Sequence, residues 1–343
     1  MDLKYMRRAL ELAALGRGAV SPNPMVGCVI VLENQIIGEG WHRRYGDWHA
    51  EVNAVNDAIQ KGFADLLSQS TVYVTLEPCS HFGKTPPCAD LLVEKKVKRV
   101  VICNDDPNPL VAGKGIQKLR DAGIEVFTGV LSEEGRAMNI RFFTFFEQKR
   151  PYIILKWAET ADGFIADEHK HPLSITCLQS RILNHQWRTE EDAILVGTNT
   201  AQNDNPQLNA RLWEGSNPVR VVLDRTLRLS HDLHLFDNTQ KTLFYNAFSN
   251  EEKGNTTFVQ IDFDENFLTN FLRDLYERKI QSILVEGGAI LLQAFLNEEL
   301  FDEIRVFKSP NAIVKGTASP LLPTGARLVN QKKVGEDWLS WYH

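Results

Sequence analysis

The chain is short of several features that would place it outside the cell, in a membrane or on a nucleic acid. Cysteine is sparse and odd in number, five in 343 residues, so a disulfide framework is not expected. No stretch approaches the ~18 uninterrupted apolar residues of a spanning helix. The opening Met1-Asp2-Leu3-Lys4-Tyr5-Met6-Arg7-Arg8 has no apolar core of a secretory signal, which makes a cytoplasmic location the expectation. Positive charge is not in excess: 38 Lys and Arg stand against 44 Asp and Glu, a formal net charge of −6. No basic stripe stands out, which argues against a partner such as duplex nucleic acid. No G-x-G-x-x-G follows a strand pattern, so a Rossmann site is not indicated. Internal repeats and low-complexity tracts are also missing.

What remains reads as a globular α/β protein, with 43% apolar and 24% charged residues. At ~150 residues per domain the length suggests two domains. Residues 2–17 carry a helical pattern and 26–32 with 35–39 form a hairpin about Glu33-Asn34. Helices are expected at 49–60, 88–96, 113–122 and 132–147, and strands at 71–76, 99–103 and 124–130. That alternation implies a three-layer domain with helices on both faces of a sheet. Arg150-Pro151 marks the boundary, giving domains 1–149 and 150–343. In the second, strands are expected at 152–158, 193–197, 219–224, 242–245, 257–261, 282–285 and 303–307. Its helices are expected at 178–189, 266–278 and 289–296. The tail after Pro323 carries no readable motif.

Three pieces of the first domain carry chemistry: His49-Ala50-Glu51, Pro78-Cys79 and Cys88. A hydrolytic zinc takes three protein ligands and keeps one position for water, whose pKa falls to about 7. One imidazole and two thiolates, from His49, Cys79 and Cys88, meet that count. Glu51 follows His49 at a helix start, beside the metal rather than on it. A carboxylate there can take a proton from water and pass it to a leaving amine. Helix N-termini favour the thiolate form. Cys28, Cys103 and Cys177 lack such company and read as small buried apolar residues.

Zinc deaminases of bases carry H-x-E followed by P-C-x-x-C. Here eight residues, 80–87, separate Cys79 from Cys88. The string Thr75-Leu76-Glu77-Pro78-Cys79-Ser80-His81-Phe82-Gly83-Lys84-Thr85-Pro86-Pro87-Cys88 resembles the signature of the riboflavin-biosynthesis pyrimidine deaminases, which carry such an insert. His81, Lys84 and Thr85 offer two potential cations and a hydroxyl, an inventory that suits a phosphate. A solvated loop with an incidental lysine would read the same way. The resemblance implies a substrate bearing a ribose 5′-phosphate. Asn23, held between prolines, has an amide suited to a pyrimidine edge. His42 ends a strand that leads towards His49. Asp106 and Asn108 follow a buried strand, where ligands of α/β sheets gather. These four match substrate positions of the family, although each also suits an ordinary turn.

In the second half, Val196-Gly197-Thr198 and Val285-Glu286-Gly287-Gly288 are strand ends that run into glycine. Bare backbone there admits a pyrophosphate, with a helix N-terminus near Gly288 to meet it; a tight strand-to-helix turn would explain the glycines equally. With Lys156-Trp157-Ala158-Glu159-Thr160-Ala161-Asp162-Gly163, Thr198-Asn199-Thr200 and Asn203-Asp204-Asn205-Pro206-Gln207-Leu208, these segments resemble, in order, the reductase domain of the bifunctional riboflavin-biosynthesis deaminase–reductases. The resemblance spans nearly the whole chain. It implies a cytidine-deaminase-like first domain and a dihydrofolate-reductase-like second domain that uses NADPH. It implies Lys156, Thr176, Arg188, Asp204, Leu208, Arg211 and Glu286 at the substrate. Ala158, Gly197, Thr198, Thr200, Gly287 and Gly288 would lie near the cofactor. Where the family has a Ser and a Trp ahead of Ile175-Thr176, this chain has Pro172 and Ser174. Arg220, Arg225 and Arg228 flank a strand end and suit either a 2′-phosphate or plain surface charge.

The expected activity is therefore twofold. Hydrolytic deamination of 2,5-diamino-6-ribosylamino-4(3H)-pyrimidinone 5′-phosphate precedes NADPH-dependent reduction of its ribosyl group to ribityl. The partners are this small phosphorylated pyrimidine and one zinc ion, with no nucleic acid and no membrane, and homo-oligomers through the reductase domain are implied. Two other readings stay open: a nucleic-acid or nucleoside deaminase with an appended nucleotide-binding domain, and a zinc-stabilised binding module. The first needs a basic channel with stacking aromatics, and the second normally needs four protein ligands on the metal.

Overall fold

The computed structural model describes residues 2–80, 86–109, 111–169 and 173–343. His81, Lys84, Thr85 and Pro172 lie outside the described residues. The chain divides into two compact units, Met1–Lys149 and Arg150–His343.

The first unit contains α1 (Asp2–Ala14), β1 (Gly27–Leu32), β2 (Gln35–Trp41), α2 (Ala50–Gln60), β3 (Thr71–Leu76), α3 (Cys88–Glu94), β4 (Arg99–Asn104), α4 (Lys114–Asp121), β5 (Glu125–Phe127), α5 (Ser132–Met138) and α6 (Ile140–Gln148). Its sheet runs β2-β1-β3-β4-β5, with β1 antiparallel to both β2 and β3, and β3, β4 and β5 parallel. The hairpin turns at Glu33 and Asn34, both left-handed (φ 47° and 71°), as a tight two-residue turn between twisted strands requires. Alternation sends Cys28 and Ile30 to the face covered by α2, α3 and α4, and Val29 and Val31 to the face covered by α1. The helices on both faces make the expected three layers.

Two differences from the pattern matter for the site. The strand expected over 124–130 shrinks to β5, and the helix expected over 132–147 breaks at Asn139. The Asn139 side chain explains the break. It accepts from the Met25 N–H (2.8 Å) and donates to the Met25 carbonyl (2.9 Å). A side chain that pairs so well with a remote backbone favours leaving the helix. It also anchors the segment that carries Asn23.

The second unit contains β6 (Tyr152–Glu159), β7 (Phe164–Asp167), α7 (Leu178–Glu190), β8 (Ala193–Gly197), α8 (Thr198–Asp204), β9 (Val219–Leu223), β10 (Thr242–Asn246), β11 (Glu251–Lys253), β12 (Thr256–Gln260), α9 (Phe267–Glu277), β13 (Ser282–Gly287), α10 (Ala289–Asn297), β14 (Glu303–Lys308), β15 (Gly316–Ala318), β16 (Leu328–Val334) and β17 (Asp337–Tyr342). The large sheet has the order β11-β12-β10-β9-β8-β13-β6-β14-β17-β16. The run from β12 to β14 is parallel. On one face α9 and α10 bury Leu268, Phe271, Leu275, Leu292 and Phe295 against the strands. The tail after Pro323 forms an antiparallel pair, β16 and β17, which extends the sheet from β14. β16 is almost wholly exposed, so it has no apolar alternation to announce it.

Candidate functional site

In the first unit, β2 and α2 set the position of His49 and Glu51. Gly38 and Gly40 on β2 face Ala50, Ala54 and Ala58 of α2, and a Cβ at Gly40 would lie 2.5 Å from the Ala50 carbonyl. The helix therefore lies on bare backbone, with His49 as its N-cap residue and Glu51 buried in its first turn. From the other side, β3 ends at Leu76 and delivers Glu77-Pro78-Cys79, while Cys88 opens α3.

His49 Nδ1 lies 3.5 Å from Cys79 Sγ and 3.4 Å from Cys88 Sγ. The ligand atoms of these three residues all fall within 4.8 Å of one another. Around a tetrahedral zinc with bonds of about 2.0 and 2.3 Å, nitrogen and sulfur stand about 3.5 Å apart. The donor set and its spacing fit zinc. Among the described residues this is the one His/Cys/Asp/Glu cluster suited to a metal; the exposed His169 joins none. Hydrogen bonds from Cys88 and His49 hold the Cys79 thiol well below its ordinary range, while Cys88 is pushed up by its bond to Cys79 and by burial. Burial, and then the charge on Cys79, raise the Glu51 carboxyl.

The other substrate candidates of this unit gather around the same point. His42 is buried and its ring meets that of His49 edge-on at 5.4 Å. Its Nδ1 reaches the Trp48 carbonyl (3.2 Å), so Nδ1 donates and Nε2 accepts from Asn23 Nδ2 (3.1 Å). This arrangement is a neutral imidazole, and burial lowers its pKa accordingly. It leaves Asn23 Oδ1 as an acceptor. Asp106 is buried and accepts from the Asn108 N–H (2.8 Å). Burial, helped by the charges of Glu77 and Cys79, pushes its carboxyl up to about 7.

Sequence reasoning passed over Glu77. It is 3% exposed and accepts four backbone N–H groups. Oε1 takes Gly115 (2.9 Å) and Ile116 (3.2 Å), and Oε2 takes Gly113 (3.0 Å) and Asp106 (3.3 Å). Glu77 thereby ties the α4 N-terminus and the Asp106 loop to the residue pair ahead of Cys79. A carboxylate placed where a buried strand ends was the available signal.

In the second unit, Lys156, Arg188 and Glu286 meet. Arg188 donates from Nε and Nη2 to the two Glu286 oxygens, each at 2.8 Å, and Lys156 Nζ lies 3.8 Å from Oε2. Asn184, not singled out in the sequence, adds a bond to Oε1 at 3.1 Å. A bulge in β13 exposes the reason: Val285 pairs with Leu195 and Gly287 with Val196, so Glu286 is the extra residue. Bulges re-aim a side chain in this way. Burial raises the Glu286 carboxyl, but Arg188 and Lys156 overcome that and hold it at about 2. Burial lowers Lys156 against the pull of Glu286.

Arg188 Nη1 and Arg211 Nη1 both bond Asn209, at its carbonyl and Oδ1 respectively, each at 2.9 Å. Arg211 thus joins the cluster. The Leu208 side chain is buried with Ile194, Val196 and Val222, and its carbonyl accepts from Gln240 Nε2 at 3.3 Å. Asp204 ends α8, where burial raises it. Thr176 precedes the N-cap of α7, at the other end of that helix from Arg188.

The glycine-bearing strand ends are adjacent. A Cβ at Gly288 would lie 3.0 Å from Thr200 Oγ1, and one at Gly197 would lie 3.9 Å from the Gly287 carbonyl. Thr198 Oγ1 donates to the Leu223 carbonyl (2.5 Å). Gly288 caps α10, so bare backbone and a helix N-terminus meet here, at the carboxyl ends of parallel strands. The cradle fits a dinucleotide's phosphates. Ala158 shares a face of β6 with Lys156. Of the three arginines near this edge, Arg220 is corrected: it is 1% exposed and bound to Asp237 (2.7 Å), so it is neither surface charge nor free for a phosphate. Arg225 and Arg228 are exposed. Of the remaining cysteines, Cys28 and Cys103 are buried, but Cys177 is only half-buried and caps α7, bonding the Val334 carbonyl.

The two sites define a class: a zinc-binding deaminase unit joined to a reductase unit of dihydrofolate-reductase type. Residues 1–104 match the model of the cytidine and deoxycytidylate deaminase zinc-binding region, and residues 151–337 match the RibD C-terminal domain. The riboflavin biosynthesis protein RibD of Aquifex aeolicus is 43% identical over 92% of this chain and 89% of its own length. A Thermotoga maritima crystal structure, described as a diaminohydroxyphosphoribosylaminopyrimidine deaminase/5-amino-6-(5-phosphoribosylamino)uracil reductase, superposes with a TM-score of 0.90 at 40% identity. It covers 100% of this chain and 98% of that one. RibD of Acinetobacter baumannii gives 0.90 at 33% identity, covering 99% and 98%. The chain belongs to the RibD family, the bifunctional deaminase–reductases of riboflavin biosynthesis. Its cofactors are zinc and NADPH.

Proposed function

We propose that the first unit removes the 2-amino group of 2,5-diamino-6-ribosylamino-4(3H)-pyrimidinone 5′-phosphate. The second unit then reduces the ribosyl group at C1′, giving 5-amino-6-(5-phosphoribitylamino)uracil. The observation that carries this reading is the pairing of two sites in one chain: His49, Cys79 and Cys88 around Glu51, and Glu286 with its cations beside the glycine cradle.

Zinc, when bound, supplies Lewis acidity that lets water ionise near neutral pH, and NADPH supplies a hydride. His49, Cys79 and Cys88 hold the metal. Glu51 takes the proton of the attacking water and delivers it to the leaving nitrogen, so that ammonia departs and oxygen replaces it. Asn23 Oδ1, held by the bond to His42, accepts from the pyrimidine edge, and Asp106 and Asn108 close the other side. His81, Lys84 and Thr85 receive the phosphate. In the second unit Glu286 is ionised and accepts from sugar hydroxyls, while Asp204, raised by burial, is the carboxyl better able to carry a proton. Lys156, Arg188 and Arg211 supply the positive charge that a phosphorylated sugar needs, and Thr176 and Leu208 add further substrate contacts. Ala158, Gly197, Thr198, Thr200, Gly287 and Gly288 seat the nucleotide. Boundaries at 149/150 separate the two activities. We place the protein in the cytoplasm, acting on this small substrate without nucleic acid, and assembling through the second unit. Among the described residues no helix is long and apolar enough to cross a membrane.

Mass spectrometry of the diaminopyrimidine ribotide after incubation with the zinc-loaded protein tests the reading. One amine should exchange for oxygen without NADPH, and two hydrogens should be gained only with it. No exchange would overturn the substrate assignment, and exchange without reduction would overturn the second unit's part. Sedimentation at several concentrations tests assembly, and a single monomeric species would refute it.

A further inference from the structure

Asn23, the reader of the pyrimidine edge in the first unit, sits on a segment with little regular backbone support. Residues 21–26 belong to no helix or strand, and Pro22 and Pro24 have no N–H to give. The Asn23 N–H donates to the Val20 carbonyl (2.8 Å), and the Val26 carbonyl accepts from the His42 N–H (2.9 Å). Between them, one side chain serves both polar groups of the Met25 backbone: Asn139, at 2.8 and 2.9 Å. Two bonds of opposite sense to a single residue are what a neighbouring antiparallel strand would provide. Asn139 is 5% exposed, so water competes poorly for either bond.

The arrangement has a local cost. The chain leaves helical geometry at Asn139 (φ −102°, ψ 26°), where α5 ends and α6 begins. A leucine or alanine there would favour one uninterrupted helix, since asparagine is among the poorer helix residues. In the first turn of α6, Phe142 and Phe143 pack with Leu76 and Val26, so the redirected helix lies against the same segment. Chains break a local rule of this kind where a site gains by it. The gain here is the place of Asn23, two residues before Met25. His42 Nε2 turns the Asn23 side chain (3.1 Å), and Asn139 fixes the backbone that carries it.

We infer that Asn139 is a positioning residue for pyrimidine recognition, acting through Met25 to hold Asn23 Oδ1 where a donor on the pyrimidine edge can reach it. The acceptor that meets the ring is thus set from two sides, by a histidine on the side chain and by a helix-breaking asparagine on the backbone. This inference rests on the proposed role of Asn23 and adds the residue that sets its place.

The test uses the full chain, zinc-loaded, with 2,5-diamino-6-ribosylamino-4(3H)-pyrimidinone 5′-phosphate, and reads ammonia release without NADPH. Asn139→Leu removes both bonds at similar volume. It should raise KM about tenfold and leave kcat within about twofold, because Asn23 holds the ring alike before and during the reaction. Bound zinc and the reduction of supplied 5-amino-6-(5-phosphoribosylamino)uracil should match the wild type. Asn139→Asp keeps the acceptor for the Met25 N–H and loses the donor to its carbonyl, so its KM should fall between the two. It also keeps the size of the native side chain, and it carries the test if the leucine variant does not fold. Asn23→Ala completes a double-mutant cycle. With the Asn23 amide gone, either change at Asn139 should alter KM by less than about twofold further. A wild-type KM in the Asn139 variants overturns the inference. So do equal fold-changes in the two backgrounds, or lost zinc, either of which makes Asn139 a prop for the whole unit. If Asn23→Ala alone deaminates like the wild type, the assignment of Asn23 fails and this inference falls with it. If Asn23→Ala raises KM while the cycle is additive, only this inference fails.

Discussion

Replacing Glu77 with Gln should loosen the zinc-side loop and leave the second unit's chemistry alone. The carboxylate accepts four buried backbone N–H groups, two on each oxygen, at 2.9 to 3.3 Å. An amide of the same shape has one oxygen, so its NH2 must face two N–H donors. Two charge-assisted bonds are lost at roughly 1.5–3 kcal/mol each, and two donors are left without an acceptor. Relaxation of the Asp106 loop recovers part of this, and the expected destabilisation of the first unit is ~3–5 kcal/mol. Two units need not unfold in a single transition, so one melting curve is the wrong readout. Urea titration of the zinc-loaded protein, following zinc release with a chromophoric chelator and both activities at each step, resolves them. The variant should release zinc and lose deamination at markedly lower urea, with the reductase midpoint unmoved. A deaminase midpoint within ~0.5 kcal/mol of wild type would refute the claim that Glu77 holds this loop. An equal fall in the reductase midpoint would show that the damage is not local.

Glu51→Gln should lower deamination by about 10²–10⁴-fold, the usual worth of a general acid–base group, while bound zinc and the reduction of supplied uracil substrate stay at wild-type levels; lost zinc would make Glu51 a ligand instead. Gly115→Ala should destabilise the first unit by ~1–3 kcal/mol, because the added Cβ overlaps the Pro78 carbonyl next to Cys79; an unchanged urea midpoint for deamination would contradict that packing. The Arg220 hydrogen bond holds the Asp237 carboxyl at about 2, below the ~3.9 of an unfolded chain. Its contribution is therefore complete above pH ~4 and disappears as pH falls through about 2, a span that solvent screening of the exposed Asp237 holds to ~1 kcal/mol. Asp237→Asn should cost stability at pH 7 and flatten the acid limb between pH 4 and 2, and an equal loss at pH 7 and pH 2 would refute the linkage. Stripping zinc with a chelator should abolish deamination and spare reduction, both measured on one sample.

Much of the zinc site is legible in residue types because a metal dictates its ligands. His49, Cys79 and Cys88, with Glu51 two residues from the histidine, can be listed from spacing alone, since few other arrangements of those types serve a hydrolytic metal. Most strands and helices are legible too, because a sheet buried on both faces enforces apolar runs and its helices enforce a 3.6-residue period. The tail is the exception: β16 is almost wholly exposed, and in β17 the polar Asp337 and Ser340 are buried beside Leu339 while Trp338 is exposed, so neither strand shows an apolar alternation. The break at Asn139 was equally hidden, because its cause is the backbone of Met25, over a hundred residues away in sequence.

The sequence by itself determined which chemistry is available: a His-Cys-Cys metal set with an acid–base carboxylate, and glycine-ended strands that leave backbone bare. Only the tertiary structure decided which charged residues take part. Arg220, one of three similar arginines along the chain, is sealed in an ion pair with Asp237, while Arg188 is turned onto Glu286 by a one-residue bulge in β13. Glu77 and Asn184 look ordinary as letters and become informative only when buried. The physical reason is that a polar group's meaning depends on whether water or protein satisfies it, and that is settled by segments brought together across long stretches of chain.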